Sequence, residues 1–233
     1  MFAVIFEVQP KAEEWTTYLD LAKMLKPELE QIEGFIDNER FMSQRTEGRV
    51  LSLSTWRDEK AVIRWRTLGV HHGVQERGRA EVFVGYHLRV GEITADSQVP
   101  EGQSLRQERF DTTAVGKAQV VTITEASLGV VAPSPTAYDR ADGLVDWERY
   151  EGITIPGKAL WLASWQDEAA LAGWRANRAQ GSGEPEHGAV RYRAVRVIRD
   201  YGMHDRREAP QYYPPVELTI PATHAEAQER NAR

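Results

Sequence analysis

Two apolar rhythms alternate along the chain. Phe2–Val8 is a short apolar run ended by Pro10, and it reads as a buried strand. Over residues 11–32, Trp15, Tyr18, Leu19, Ala22, Leu25, Leu29 and Ile32 recur at the spacing of an amphipathic helix. Pro27 predicts a kink or break near Lys26, and Gly34 a C-cap. Strands over 35–44 and 49–56 follow, joined by the turn Thr46-Glu47-Gly48. In the second of them Val50, Ser52, Ser54 and Trp56 share one face, and Leu51, Leu53 and Thr55 the other. Asp58 and Glu59 open a helix, where negative charge is favoured, and Ala61, Val62, Trp65 and Leu68 form its stripe. Gly69 leaves Val70–Arg79 as either a second helix or an irregular turn. Glu81–Ile93 closes the series, with Val82, Val84, Tyr86, Leu88 and Val90 alternating on one face. Strand, helix, strand, strand, helix, strand is the order of a ferredoxin-like split βαβ unit.

A weaker copy lies 109 positions on. VLSLSTWRDEKAVIRWR at 50–66 finds its counterpart in ALWLASWQDEAALAGWR at 159–175. Trp56, Asp58, Glu59, Trp65 and Arg66 correspond to Trp165, Asp167, Glu168, Trp174 and Arg175. The copy has strands over Val120–Glu125, Leu144–Ile155, Lys158–Trp165 and Val190–Ile198, and a helix over Asp167–Ala179. Its first helix is reduced to APSPTAYDRADG, which has two prolines and little periodicity. Gln180 and Gly181 stand where His71 and His72 would align, and GSGEPEHG reads as a loop. The expected organisation is a repeat at 1–95, a polar linker at 96–114, a degenerate repeat at 115–205 and a tail at 206–233. That tail, proline-rich and then charged, wraps the surface or is partly disordered.

Composition narrows the function classes. The chain has 233 residues, 41% of them hydrophobic, and a net charge of -6. With no basic patch, nucleic acid and anionic membrane are poor partners. With no cysteine, a disulfide framework, thiolate metal site or Cys nucleophile is excluded. MFAVIFEVQP lacks a basic n-region and a cleavage site and reads as a first strand. No run approaches the length of a membrane span, so a cytoplasmic protein is expected. HExxH, P-loop, dinucleotide and nucleophile-elbow motifs are absent, and no metal site is read.

LSLSTW-RDE-x4-WR, followed by HHGVQERGR and VGYHLRVGEI, resembles the antibiotic biosynthesis monooxygenase family over residues 1–93. Arg199–Pro210 (RDYGMHDRREAP) resembles the tail that follows such a domain. The resemblance implies an α+β fold, in which the antiparallel sheets of two ferredoxin-like βαββαβ units pack as a dimeric α/β barrel. Each sheet has one face covered by helices, and the other needs an equivalent sheet to bury it. Usually two chains supply the sheets; here one chain can, as an intramolecular pseudo-dimer, and a homodimer stays open. Relatives include cofactor-free quinone-forming oxygenases, haem-degrading enzymes and proteins without known activity. The implied function is oxidation of an apolar, aromatic or phenolic small molecule in the first-repeat cavity. A haem protein and a non-catalytic binding barrel are the alternatives.

His71 and His72 are the candidate catalytic residues, because a neutral imidazole can take a phenolic proton near neutral pH. Helical periodicity puts His72 on the stripe of Trp65, whereas the family alignment favours His71. One histidine capping a helix and the other in solvent is the competing view. Trp65 matches the pocket tryptophan of haem-degrading relatives, or is a core aromatic. Their axial histidine falls at Gln75 here and their strand-one asparagine near Glu7. Nothing requires a cofactor, and haem would bind through His71. Arg40, Gln44, Arg66, Gln75 and Tyr86 are the candidate substrate contacts near the expected pocket wall. His87 points away from Tyr86, and His187, His204 and His224 take no role.

Overall fold

The computed structural model describes residues 1–127, 138, 141–179 and 190–211. The elements of the first half are β1 (Phe2–Pro10), α1 (Trp15–Glu30), β2 (Phe35–Ser43), β3 (Val50–Trp56), α2 (Glu59–Thr67), α3 (Gly69–Arg77) and β4 (Phe83–Asp96). The second half supplies β5 (Val120–Ser127), β6 (Leu144–Gly152), β7 (Lys158–Trp165), α4 (Glu168–Ala179) and β8 (Val190–Gly202). All eight strands close one antiparallel barrel in the order β1-β3-β2-β6-β7-β5-β8-β4. Each half contributes four neighbouring strands. The halves are joined at their edges as well as by their faces. The β4–β8 seam is long, from His87 opposite Gly202 to Asp96 opposite Arg193. The β2–β6 seam is short, from Phe41 opposite Gly152 to Ser43 opposite Tyr150.

Strand alternation sorts the side chains into two cores. Met1, Ala3, Ile5, Leu51, Leu53, Val121, Ile123, Leu160 and Leu162 fill the barrel. Phe2, Val4, Trp56 and Val90 face outward under the first-half helices. The same alternation sends charges inward. Arg89, opposite Ile5, donates to Ser164 of the other half at 2.7 Å and pairs with Glu7. Arg193, opposite Ile123, donates to Thr55 at 3.0 Å and to Glu125 at 2.8 Å. These two crossings repeat each other across the barrel. Burial alone would raise the Glu7 carboxyl; the Arg89 charge, with hydrogen bonds from His87 and Tyr150, holds it well below the carboxylate range.

The Asp-Glu pairs act as caps. Asp58 Oδ1 accepts from the Ala61 N–H and Asp167 Oδ1 from the Ala170 N–H, each at 2.8 Å.

Several boundaries differ from the sequence reading. Helix α1 continues through Pro27, which is exposed near its end, so the freed carbonyl of Lys23 can meet water. The helix stops at Glu30, and Gly34, at φ 91°, turns the chain into β2 instead of capping it. Residues 78–82 form a wide π-type turn, so β4 begins at Phe83. An irregularity beside Gln9 and Pro10 then leaves Val84 exposed, and clean alternation starts only near Tyr86. Strand β8 extends past Ile198 to Gly202. Residues 97–119 have no regular structure but are docked: Glu92 accepts from the N–H groups of Glu108 and Arg109, and Thr113 N–H donates to Val197. Most of the reduced helix at 132–143, the loop at 181–188 with His187, Gln180 and the tail beyond Gln211 with His224 lie outside the described residues.

Candidate active site

A cavity of about 770 Å³ lies between the outer face of the first-half sheet and helices α1 to α3. Its apolar wall is built from Val4 and Phe6 of β1, Leu21, Leu25 and Leu29 of α1, Val62 and Trp65 of α2, and Leu88 and Val90 of β4. The outward alternation of β1 and β4 and the buried stripes of α1 and α2 put these groups on one space.

His71 sits against this wall. Its ring stacks on Trp65, with centroids 4.0 Å apart and planes 16° from parallel. Its Nδ1 is 2.9 Å from the Trp65 carbonyl oxygen, which can only accept, so Nδ1 carries the hydrogen. Nε2 is left as an acceptor, 3.4 Å from the Gln75 amide nitrogen. Burial pushes the imidazole down to about 4, against the pull of the Trp65 carbonyl and with help from neighbouring His72. His71 is therefore neutral at neutral pH, and its Nε2 lone pair is met only by the long Gln75 contact. His72 also lines the cavity, and its Nε2 is 3.3 Å from Glu76 one turn on. The periodic argument for His72 fails because α2 and α3 are separate helices. Leu68 between them is extended, at φ -63° and ψ 125°, so the heptad from Trp65 is not carried across.

Trp65, Arg66, Gln75, Tyr86 and Arg40 line the same cavity. Gln44 does not: it is exposed beyond β2, and its N–H donates to the Arg149 carbonyl. Glu7 is turned into the barrel, away from the cavity. His87 faces Glu7 and Asp200.

Sequence reasoning missed part of the wall. Tyr18 and Asn38 belong to it, as do Arg199 and Tyr201 of β8 and Arg206, Arg207, Ala209, Pro210 and Gln211 of the following strap. The resemblance of 199–210 to a family tail was the available signal. Arg206 donates to the Tyr86 hydroxyl, and Arg66 to the Gln211 carbonyl at 3.4 Å. Glu208 anchors the strap through Thr113 and the N–H groups of Ala114 and Asp200, each at 2.7 Å.

A haem iron would need the His71 Nε2 lone pair, which the Gln75 amide nitrogen approaches at 3.4 Å, a long contact that any group binding Nε2 must displace. No group of three or more metal-ligating side chains occurs among the described residues. No described helix is long and apolar enough to cross a membrane.

Among the described residues of the second half, aromatic rings pack on one another over the corresponding sheet face. Tyr138 stacks between Trp147 at 5.2 Å and Trp174 at 5.5 Å, and Trp174 meets Trp165 at 5.1 Å. Arg175 covers the Tyr192 ring at 4.8 Å.

Residues 1–77 match the family described as antibiotic biosynthesis monooxygenase. The chain is 41% identical over 230 residues to the jasmonate monooxygenase ABM of Pyricularia oryzae, covering 93% of this chain and 100% of that one. Among solved structures, an antibiotic biosynthesis monooxygenase aligns at 18% identity and TM-score 0.35, over 39% of this chain and 95% of that one. An anthrone oxidase-like protein aligns at 12% identity and TM-score 0.35, over 90% and 96%.

Proposed function

Because the chain belongs to the antibiotic biosynthesis monooxygenase family, we propose that it oxidises a small, apolar-bodied organic molecule with dioxygen in the cavity beside Trp65. The observation that carries this reading is the held tautomer of His71. Its Nδ1–H is fixed by the Trp65 carbonyl and its Nε2 is an acceptor on the cavity wall.

The substrate offers an acidic O–H or activated C–H to Nε2, displacing the long contact from Gln75. Transfer of that proton gives an imidazolium beside a substrate anion, and the anion is electron-rich enough to react with dioxygen. The balance closes without an external reductant when the reacting carbon is an activated methylene. Both of its C–H bonds break, one oxygen atom becomes the carbonyl, and the other leaves as water with the two hydrogens. The imidazolium returns its proton to that water. Trp65 holds the imidazole plane and shapes the wall, and the apolar residues exclude bulk water. The relative named for jasmonate supports a small-molecule substrate. The open cavity favours this reading over a purely structural barrel, since the second half shows how the same layer looks when filled.

The test is oxygen uptake with dithranol, which carries an activated methylene, and with jasmonate. Turnover by the native protein and a loss of roughly 10²- to 10⁴-fold in His71→Ala are expected. Undiminished turnover in that variant removes the assignment.

A further inference from the structure

We propose that the end of this cavity bounded by the second half is a carboxylate-binding site. The preferred substrate is then an amphipathic monocarboxylate, held by Arg199 together with Arg66 and Arg206. This deepens the reading above and rests on it.

The charge inventory is one-sided. Lys26, Arg40, Arg66, Arg79, Arg199, Arg206 and Arg207 line the cavity, Arg207 being paired with Asp205, and the only carboxylate among the described lining residues is Glu59. Glu59 is held by Arg109 at 2.7 Å and so is already neutralised. In a chain of net charge -6, such an accumulation is not a general property of the surface. Arg66, Arg199 and Arg206 form no ion pair with a carboxylate among the described residues. All three act electrostatically on Tyr201, a half-buried phenol in the same wall. They come from three separate elements: α2, β8 and the strap.

Strand register explains how Arg199 arrives there. Val90 of β4 is opposite Arg199, and Leu88 is opposite Tyr201. Both β4 residues face the cavity, so their partners do too. Between Gly91–Val197 and Val90–Arg199 the register shifts, with Ile198 as the extra residue, which re-aims β8 toward the first-half layer. The second half therefore completes the first-half site. Guanidinium groups suit a carboxylate because their paired N–H donors match its two oxygens. The apolar body would lie along Val62, Trp65, Leu88 and Val90, toward His71. Arg40 is four strands away across the sheet and already engages Tyr18, so it is not assigned to this end.

The test compares jasmonate with its methyl ester, which keeps the apolar body and removes the charge. Affinities are read at neutral pH by titration calorimetry on the full chain. Jasmonate should bind about tenfold or more tighter than the ester. Arg199→Gln should lose that preference while keeping the affinity for the ester, which also reports that the cavity is intact. Arg199→Lys should retain part of it. Equal binding of acid and ester by the native protein, no binding of either, or an unchanged preference in Arg199→Gln would overturn the carboxylate site. Oxygen uptake with uncharged dithranol reads the oxidation separately. If it persists when the acid has no advantage, only the carboxylate claim falls.

Discussion

Trp65 and Trp174 occupy equivalent positions on α2 and α4, yet they stack on different partners. Trp65 lies on His71 at 4.0 Å and borders the cavity. Trp174 lies on Tyr138 at 5.5 Å and meets Trp165 at 5.1 Å, in a layer filled by rings. One duplicated tryptophan thus borders an open cavity in one half and packs among rings in the other.

The two substitutions should separate accordingly. Trp174→Ala removes a ring held between aromatic neighbours and should cost about 3 kcal/mol. That is a fall in melting temperature of roughly 6–12 °C for a chain of this size. Trp65→Ala should lower the melt less and weaken binding of the cavity's ligand more. A thermal melt paired with a ligand titration on each variant makes the comparison. An unchanged melt for Trp174→Ala contradicts the packing role.

The buried Arg193–Glu125 pair, both nearly inaccessible, gives a second stability test. Arg193→Ala leaves the Glu125 charge without its main partner and should destabilise by about 3–5 kcal/mol. Replacing both residues by apolar groups of similar size, as in Arg193→Met with Glu125→Leu, should recover most of the loss. Denaturant unfolding of the two variants measures it. A double variant as unstable as the single one would contradict an ion-pair origin.

Two histidines should titrate in opposite senses. For His71, burial depresses the folded value to about 4. The unfolded chain takes up its proton first, so stability from His71 is present above about pH 6.5 and lost as pH falls toward 4. Activity dependent on neutral His71 should show no acid limb near pH 6.5. For His87, burial lowers the value, but hydrogen bonds to Asp200 and Glu7 outweigh it and raise it. Its contribution is full below about pH 6.5 and is lost as pH rises through the raised value. The side chain is 46% exposed, so the effect is small. Melts across this range should show a decline at higher pH that Asp200→Asn removes. A decline retained in that variant points to another group.

One chain supplies all eight strands and both ends of the cavity. Closure of the barrel therefore needs no second copy. Oxygen uptake per chain should be constant on dilution through any association equilibrium, with mass followed by light scattering. Activity lost as the protein dissociates would show that the site is completed between chains.

The repeat was legible because its signals are local: strand alternation, the Asp-Glu pairs and two aligned tryptophan pairs; the barrel was implied by the family resemblance and by each sheet's need to cover its second face. The stacking of His71 on Trp65 was only half legible, because a helical period assumes one helix and Leu68 breaks it into two. Arg199 and Tyr201 were missed because their position depends on pairing with β4, far away in sequence, and on a register shift at Ile198. Arg89 and Arg193 alternate with apolar residues, a pattern that by itself gives no sign of burial. Barrel closure turns that face into an interior, where Glu7 and Glu125 receive them.

The most direct measurement is nitrogen NMR of the protein labelled with ¹⁵N-histidine, titrated with jasmonate at neutral pH. His71 is assigned by its loss in His71→Gln. The expected spectrum has a protonated Nδ1 and an unprotonated Nε2, and ligand addition moves the Nε2 resonance. A His71 protonated at Nε2, or an Nε2 signal unmoved by a bound ligand, would contradict the placement of the chemistry at this side chain.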